Sequence, residues 1–150
     1  MTLPLFLYGT LLRPAVLDRM AGERGLARRL RPAHLPGFAR VMLRGTPYPT
    51  LRRDPGAATA GALLRCGPVA LARLAAYEGA SYRLVPVRVE TERGPRRARA
   101  WVAARWRAAE TPWPCGCGGR PSWPATTVAG ATVLRAAAGR QSPPHPGPCL

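Results

Sequence analysis

Glu78 is the residue whose position in the sequence best suits acid–base chemistry. It lies in the segment AYEGASYRLVPV at 76–87, between the end of a predicted helix and the start of a predicted strand, with Tyr77 and Tyr82 nearby as core residues or pocket walls. The carboxyl end of a helix carries partial negative charge, which disfavours ionisation of a nearby carboxyl group and raises its pKa. Such a group can both accept and deliver a proton near neutral pH. A solvated glutamate at a helix end is the alternative, and the segment alone favours it.

The segment LYGTLL at 7–12 is a candidate binding turn. An apolar run at 3–8 predicts a buried strand that ends at Gly9. Backbone N–H groups that converge beyond the end of a strand can bind a carboxylate or an oxyanion. An ordinary turn is the alternative, and spacing alone favours it.

The segment RGTPYPTL at 44–51 is a third candidate. Gly45, Tyr48 and Pro49 predict a rigid turn that carries an aromatic side chain. This turn is either packing for a loop or the wall of a pocket.

The elements that position these segments follow from the periodicity of the chain. Residues 68–77 predict the clearest helix, because Pro68 suits a first turn and apolar residues recur at spacings of three and four. Residues 14–22 begin with Pro and end with Gly, which predicts a second, short helix. Residues 82–105 alternate on either side of a turn and predict a hairpin, with Pro86 at an edge or a bulge. Further strand candidates are 3–8, 38–43 and 59–65, with a turn at 36–37 and a loop at 44–55.

The order of these elements indicates one α+β domain over residues 1–110. The full chain has 150 residues, which is enough for one domain with a sizeable core. Its longest apolar runs are far shorter than a membrane span. The first residues lack a basic leader and a small-residue cleavage site, so we expect no signal peptide, no membrane association and a cytoplasmic location.

The formal net charge of +16 would ordinarily suggest a nucleic-acid partner. Every basic residue, however, is an arginine, and the chain has no lysine, asparagine or isoleucine. These three absent residues have AT-rich codons, so the arginine excess indicates a GC-rich gene. The arginines are also scattered through every segment rather than interleaved with aromatics on one face. We therefore expect no nucleic-acid binding.

The cysteines and histidines do not form a recognisable metal or nucleophile motif. Cys66 is alone in the body of the chain, and Cys115 and Cys117 form a C-x-C pair that lacks a second pair or a nearby histidine. His34 and His145 have no partner at ligand or triad spacing. The remaining candidates, Cys149, Ser81 and Ser122, also lack a catalytic context. We predict no metal and no cofactor.

The tail at 111–150 differs in composition from the body. It contains 8 of the 18 prolines and no acidic residue. One hypothesis is disorder or weak structure. The other is a frameshift, because the string WPCGCGGRPSW can be back-translated in another frame into an amphipathic, helix-like sequence. Resequencing of the gene separates the two.

Taken in order, the three candidate segments resemble the gamma-glutamylcyclotransferase and AIG2-like family. The shared pattern is a strand ending in YG[ST]L, a G-x-YP-type loop, and a helix ending in YEG before Y-R and a valine-rich strand. It extends over residues 3–105 and fails beyond Trp113. Thr10 stands where many members have serine, and the hydroxyl is kept.

The resemblance implies a small mixed β-barrel with flanking helices and an enzyme that closes a γ-glutamyl amide to 5-oxoproline. An amine or amino acid leaves, and the small γ-glutamyl substrate is the only partner implied. Glu78 matches the catalytic acid–base glutamate of the family. The matching substrate-binding residues are Tyr8, Gly9, Thr10, Leu11 and, less closely, Tyr82.

Two other functions stay open from the residues alone. A non-catalytic binding or interaction module of the same fold is compatible with the unusual tail, whereas retention of Glu78 argues against it. A basic nucleic-acid-binding protein would require arginines on one face and steep salt dependence. The sequence does not identify the leaving amine or the oligomeric state.

Overall fold

Two long antiparallel hairpins provide most of the sheet in the computed structural model, which describes residues 2–113. The first joins β2 (Arg31–Leu43) to β3 (Pro49–Leu64), and the second joins β4 (Tyr82–Thr91) to β5 (Gly94–Ala103). The second confirms the hairpin predicted from alternation. Tyr82 pairs with Ala103 at one end and Thr91 with Gly94 at the other.

A short N-terminal strand, β1 (Leu5–Leu7), connects the two hairpins and closes a barrel. The strands follow the order β3-β1-β5-β4-β2, and β2 pairs back onto β3. β1 is antiparallel to β3 and parallel to β5, so the sheet is mixed. The result is a closed five-stranded mixed barrel, which confirms the predicted α+β fold.

The first hairpin corrects two predictions. The predicted turn at Pro36-Gly37 lies inside β2, and most of the predicted loop at 44–55 belongs to β3. A bulge absorbs these turn residues: Gly37 has φ +78°, and the register shifts between Pro36 and Phe38. Glycine adopts this positive φ without steric conflict, so the strand continues past a sequence signal for a turn.

Two helices cover one side of the barrel, as predicted from residues 14–22 and 68–77. α1 (Pro14–Ala21) and α2 (Pro68–Glu78) each begin with a proline that suits a first helical turn. Leu17 and Leu74 are fully buried and pack with Leu5 and Leu64 of the sheet. A second cluster inside the barrel contains Phe6, Tyr8, Leu35, Leu51 and Val89. Burial of these side chains supplies the main driving force for the fold.

β6 (Ala108–Pro112) lies outside the barrel against β2 and crosses the predicted domain boundary at residue 110. Trp113 follows it, and its indole Nε1 donates a hydrogen bond to the Pro47 carbonyl at 3.0 Å. The two hypotheses for the tail concern residues that lie outside the described part beyond Trp113. Within residues 2–113, none of the helices combines the length and the apolar character that a membrane span needs.

Candidate active site

One cavity of about 150 Å³ collects every site residue predicted from the sequence. It lies where β1 ends, where α2 ends and where β3 begins. All four tyrosines of the chain line it, although they come from distant positions in the sequence. The residues that line it and carry the argument below are Tyr8, Gly9, Thr10, Leu11, Tyr48, Pro49, Tyr77, Glu78, Tyr82 and Trp101.

Glu78 is the last residue of α2 and is half-buried in the cavity wall. Burial raises the pKa of its carboxyl group to about 7, so both protonation states are populated near neutral pH. The sequence predicted a raised pKa from the helix end, whereas the leading cause in the structure is loss of solvent. Gly79 follows with φ 73° and ψ −173°, a conformation that is essentially confined to glycine. The chain therefore ends α2 abruptly and leaves Glu78 at its end.

The turn after β1 is a short 3-10 helix, Thr10–Leu12. Its own hydrogen bonds run from the N–H of Leu12 to the Gly9 carbonyl at 3.0 Å, and from the N–H of Arg13 to the Thr10 carbonyl at 3.1 Å. The N–H groups of Thr10 and Leu11 are outside these bonds, as expected at the start of a helical turn. Thr10 and Leu11 both line the cavity.

Gly9 is required by close approach of the chain to Pro49. A Cβ atom at position 9 would lie 2.8 Å from the Cγ atom of Pro49. This is shorter than real contacts of this kind, so a side chain here would displace either the turn or the start of β3. The glycine in the YGT motif thus lets the turn after β1 pack directly against the opposite wall.

Tyr8 and Tyr82 are structural walls with neutral hydroxyl groups. The Tyr8 hydroxyl donates to the Trp101 carbonyl, and the Tyr82 hydroxyl donates to the Pro49 carbonyl at 2.7 Å. Burial is the main reason that the pKa of both phenols lies well above the usual value; Tyr82 and then Glu78 raise it further for Tyr8, and Glu78 does so for Tyr82. Both therefore stay protonated at neutral pH.

Tyr48 and Tyr77 form a more open part of the wall. They are 45% and 37% exposed, so this side of the cavity meets solvent. The Tyr77 hydroxyl lies 3.3 Å from Oγ1 of Thr10, which connects the end of α2 to the binding turn. The sequence had left Tyr48 and Tyr77 open as packing residues or pocket walls, and the structure places both in the wall.

Two supporting residues were not identified from the sequence. Trp101 is buried beside Tyr8, and Arg40 donates from Nη1 to the Tyr8 carbonyl at 2.8 Å. Alternation in the predicted strand places Trp101 on a buried face and could have found it. Arg40 is one of many arginines, and no local pattern distinguishes it.

Other residues weighed in the sequence lie away from this cavity. His34 is buried in β2, where its backbone lies opposite that of Glu90 in β4. Oγ of Ser81 accepts a hydrogen bond from Arg107 at 2.9 Å. Cys66 lines a different cavity. Within residues 2–113, no cluster of His, Cys, Asp and Glu could hold a metal ion. The remaining candidates, His145, Ser122, Cys115, Cys117 and Cys149, lie outside the described residues.

The family model for gamma-glutamyl cyclotransferase, AIG2-like proteins matches residues 5–116. The chain belongs to this family. The match confirms the resemblance inferred from the three segments, and it covers every residue of the cavity. Among curated proteins, none matches the chain in sequence.

Solved structures of other proteins share the fold of this chain. An Arabidopsis thaliana protein solved in solution is 27% identical, with a TM-score of 0.58 and coverage of 71% of each chain. YkqA from Bacillus subtilis is 25% identical with a TM-score of 0.61, over 72% of this chain and 42% of its own. A structure named gamma-glutamyl cyclotransferase is 18% identical with a TM-score of 0.56, over 69% of this chain and 68% of its own. This last similarity is one of fold.

Proposed function

We propose that the protein cyclises a small γ-glutamyl amide to 5-oxoproline and releases an amine or an amino acid. The observation that supports this most directly is Glu78, a carboxyl group with a pKa of about 7 in the same cavity as the binding turn. A general acid–base group works best when its pKa lies near the operating pH. Family membership supports the same reaction class.

The proposed reaction is an intramolecular acyl transfer. The α-amine of the glutamyl group attacks the side-chain amide carbonyl, and a new C–N bond closes a five-membered lactam. Glu78 takes the proton from the attacking amine and delivers it to the leaving nitrogen as the original C–N bond breaks. The proton is therefore relayed within one turnover, and the chemistry requires no redox partner.

The binding turn would hold the substrate in the folded conformation that this attack needs. In the proposal, the N–H groups of Thr10 and Leu11 bind the α-carboxylate, while Tyr8 and Tyr82 restrict the space around the glutamyl chain. Holding two reacting groups in contact lowers the barrier by removing conformational freedom before the reaction. Gly9 would keep the turn close enough to Pro49 for this purpose.

The test is release of 5-oxoproline from a panel of γ-glutamylamines and γ-glutamyl amino acids. Glu78→Gln should lower kcat by about 10²–10⁴-fold, the usual contribution of a positioned acid–base group. Glu92→Gln, which changes an exposed glutamate in the turn between β4 and β5, should leave kcat unchanged. The best substrate identifies the leaving group.

Two results would contradict the proposal. One is turnover by Glu78→Gln at the wild-type rate. The other is a folded wild-type protein that binds γ-glutamyl compounds but releases no 5-oxoproline, which would indicate a non-catalytic binding module. Thermal unfolding of each variant separates either result from loss of the fold.

A further inference from the structure

A second cavity, of about 190 Å³, shares no lining residue with the first. It lies at the other end of α2, between the start of that helix and β1, β3 and β5. Four leucines make up much of its wall, and Arg99 and Cys66 also line it. The leucines are Leu3, Leu5, Leu64 and Leu71.

Arg99 is an unusual residue for an apolar cavity. It lies on β5 beside Leu5 of β1, and its backbone N–H donates to the Pro4 carbonyl at 2.9 Å. Two of its guanidinium nitrogens, Nε and Nη2, are buried and have no hydrogen-bond partner among the described residues. A buried charged group without a partner is unfavourable, and native proteins almost always satisfy such groups.

Among residues 2–113, no carboxylate pairs with this guanidinium. All seven acidic residues lie within the described part, and the ion pair found there joins Glu23 to Arg29 at 2.8 Å. Residues 114–150 contain no aspartate or glutamate. Glu23 acts electrostatically on Cys66 at the edge of the cavity, but Arg29 already holds its carboxylate. An anion that is not part of residues 2–113 would balance this charge.

We propose that this cavity binds a small organic anion, namely a carboxylate with a short apolar chain. The guanidinium charge is delocalised and partly stripped of water, so an anion in the cavity is attracted more strongly than at an exposed arginine. The leucine walls favour an apolar body behind the carboxylate. Arg65 lines the cavity too, and the nearby start of α2 adds partial positive charge.

Butyrate is the probe, and Cys66 reports on occupancy. After trypsin digestion, the peptide CGPVALAR at 66–73 isolates this thiol from the cysteines of the tail. Burial raises the pKa of the Cys66 thiol, so alkylation by iodoacetamide is followed at mildly alkaline pH. Butyrate should slow alkylation of this peptide and raise the unfolding temperature, whereas equal ionic strengths of chloride or phosphate should not.

Arg99→Met is the decisive variant, because methionine keeps an unbranched side chain and removes the charge. It should unfold at the same or a higher temperature than the wild type without anion, and it should lose the effects of butyrate. Arg97→Gln, an exposed arginine on the same strand, should keep them. Equal butyrate effects in wild type and Arg99→Met, or equal protection by all three anions, would overturn the proposal.

Discussion

The cavity around Glu78 and the cavity around Arg99 are similar in volume but handle a partly buried charge in opposite ways. Glu78 can relieve the loss of solvent by taking up a proton, and its pKa of about 7 reflects this. Arginine side chains stay charged at ordinary pH, so an anion is needed to neutralise the charge in the second cavity. A buried charge that titrates is suited to chemistry, whereas one that does not titrate is suited to binding.

The walls of the two cavities also differ in polarity. Four tyrosines and the turn after β1 share a cavity with Glu78, which would give a substrate several polar atoms for orientation. Leucines surround Arg99, which gives a ligand one charge and an apolar surface. Both cavities contact α2, one at its carboxyl end and the other near its start. A variant in one cavity can therefore be compared with a variant in the other cavity of the same protein.

The largest effect on this comparison is expected from Gly9→Ala. The added Cβ would lie 2.8 Å from Cγ of Pro49, so the binding turn must shift. A displacement of about 1 Å at a catalytic site can lower the rate about 100-fold. Gly67→Ala is the matched control: Gly67 follows Cys66 in the chain, has φ −75°, and its new Cβ meets no atom within 4 Å. Steady-state kinetics with the best γ-glutamyl substrate should separate the two variants.

If Gly9→Ala and Gly67→Ala reduce kcat/KM equally, close approach of the turn to Pro49 does not matter for function. The unfolding temperatures of both variants serve as the check on stability. A loss of activity in Gly9→Ala without a matching loss of fold would assign the effect to the position of the turn.

The pH dependence of stability should distinguish the two charges directly. The pKa of Glu78 is raised to about 7 in the folded protein, above its ordinary value of 4.5. Its contribution to stability is therefore fully present below about pH 4.5 and is lost as the pH rises through about 7. Glu78→Gln should be more stable than wild type by about 2 kcal/mol near pH 8, allowing for residual contact with solvent, and by much less near pH 5.

Arg99→Met provides the contrast, because arginine stays charged across this range. Any gain in its free energy of unfolding over wild type should be the same near pH 5 and near pH 8. Urea unfolding at both pH values measures the four differences. A gain for Glu78→Gln that does not change with pH would contradict the titration of Glu78 in the folded protein.

Local patterns were sufficient to predict both helices, the N-terminal strand and the hairpin at 82–105. In each case, apolar spacing and flanking Pro or Gly residues agree with the final environment. The first hairpin could not be predicted in the same way. Residues 44–48 form the turn between the two strands, as predicted, but pairing between β2 and β3 incorporates residues 36–37 and 49–55 through a bulge. Long-range pairing decided these segments, and it leaves no local trace.

The predicted site residues were brought together in one cavity, although the sequence could not show why. The direction of the Glu78 pKa shift followed from the helix end, whereas its main cause is burial by residues distant in sequence. Arg99 was not predicted to be buried. It shares one face of its strand with exposed Arg97 and buried Trp101, so alternation alone does not show on which side of the boundary it lies. Only the packing of α2 over the sheet determines how far burial extends along that face.

Arg40 offers the smallest of the expected effects and tests how the outer strand supports the binding turn. Its Nη1 donates to the Tyr8 carbonyl at 2.8 Å, and its guanidinium carbon lies 5.2 Å from the centre of the Trp113 ring. Trp113 is itself fixed to Pro47. Arg40 therefore connects Trp113 to Tyr8, the residue before Gly9, and acts as a positioning residue.

Arg40→Met should lower kcat about tenfold, or about 1.4 kcal/mol in the barrier, with a smaller change in KM. Arg52→Met is the control, since Arg52 is also half-buried and donates to a backbone carbonyl, that of Ala109 at 3.4 Å, without contacting the binding turn. A purely structural role for Arg40 would make the two variants lose stability and kcat in parallel. A fall in kcat confined to Arg40→Met would instead show that β2 supports catalysis in the tyrosine-lined cavity through its contact with the turn.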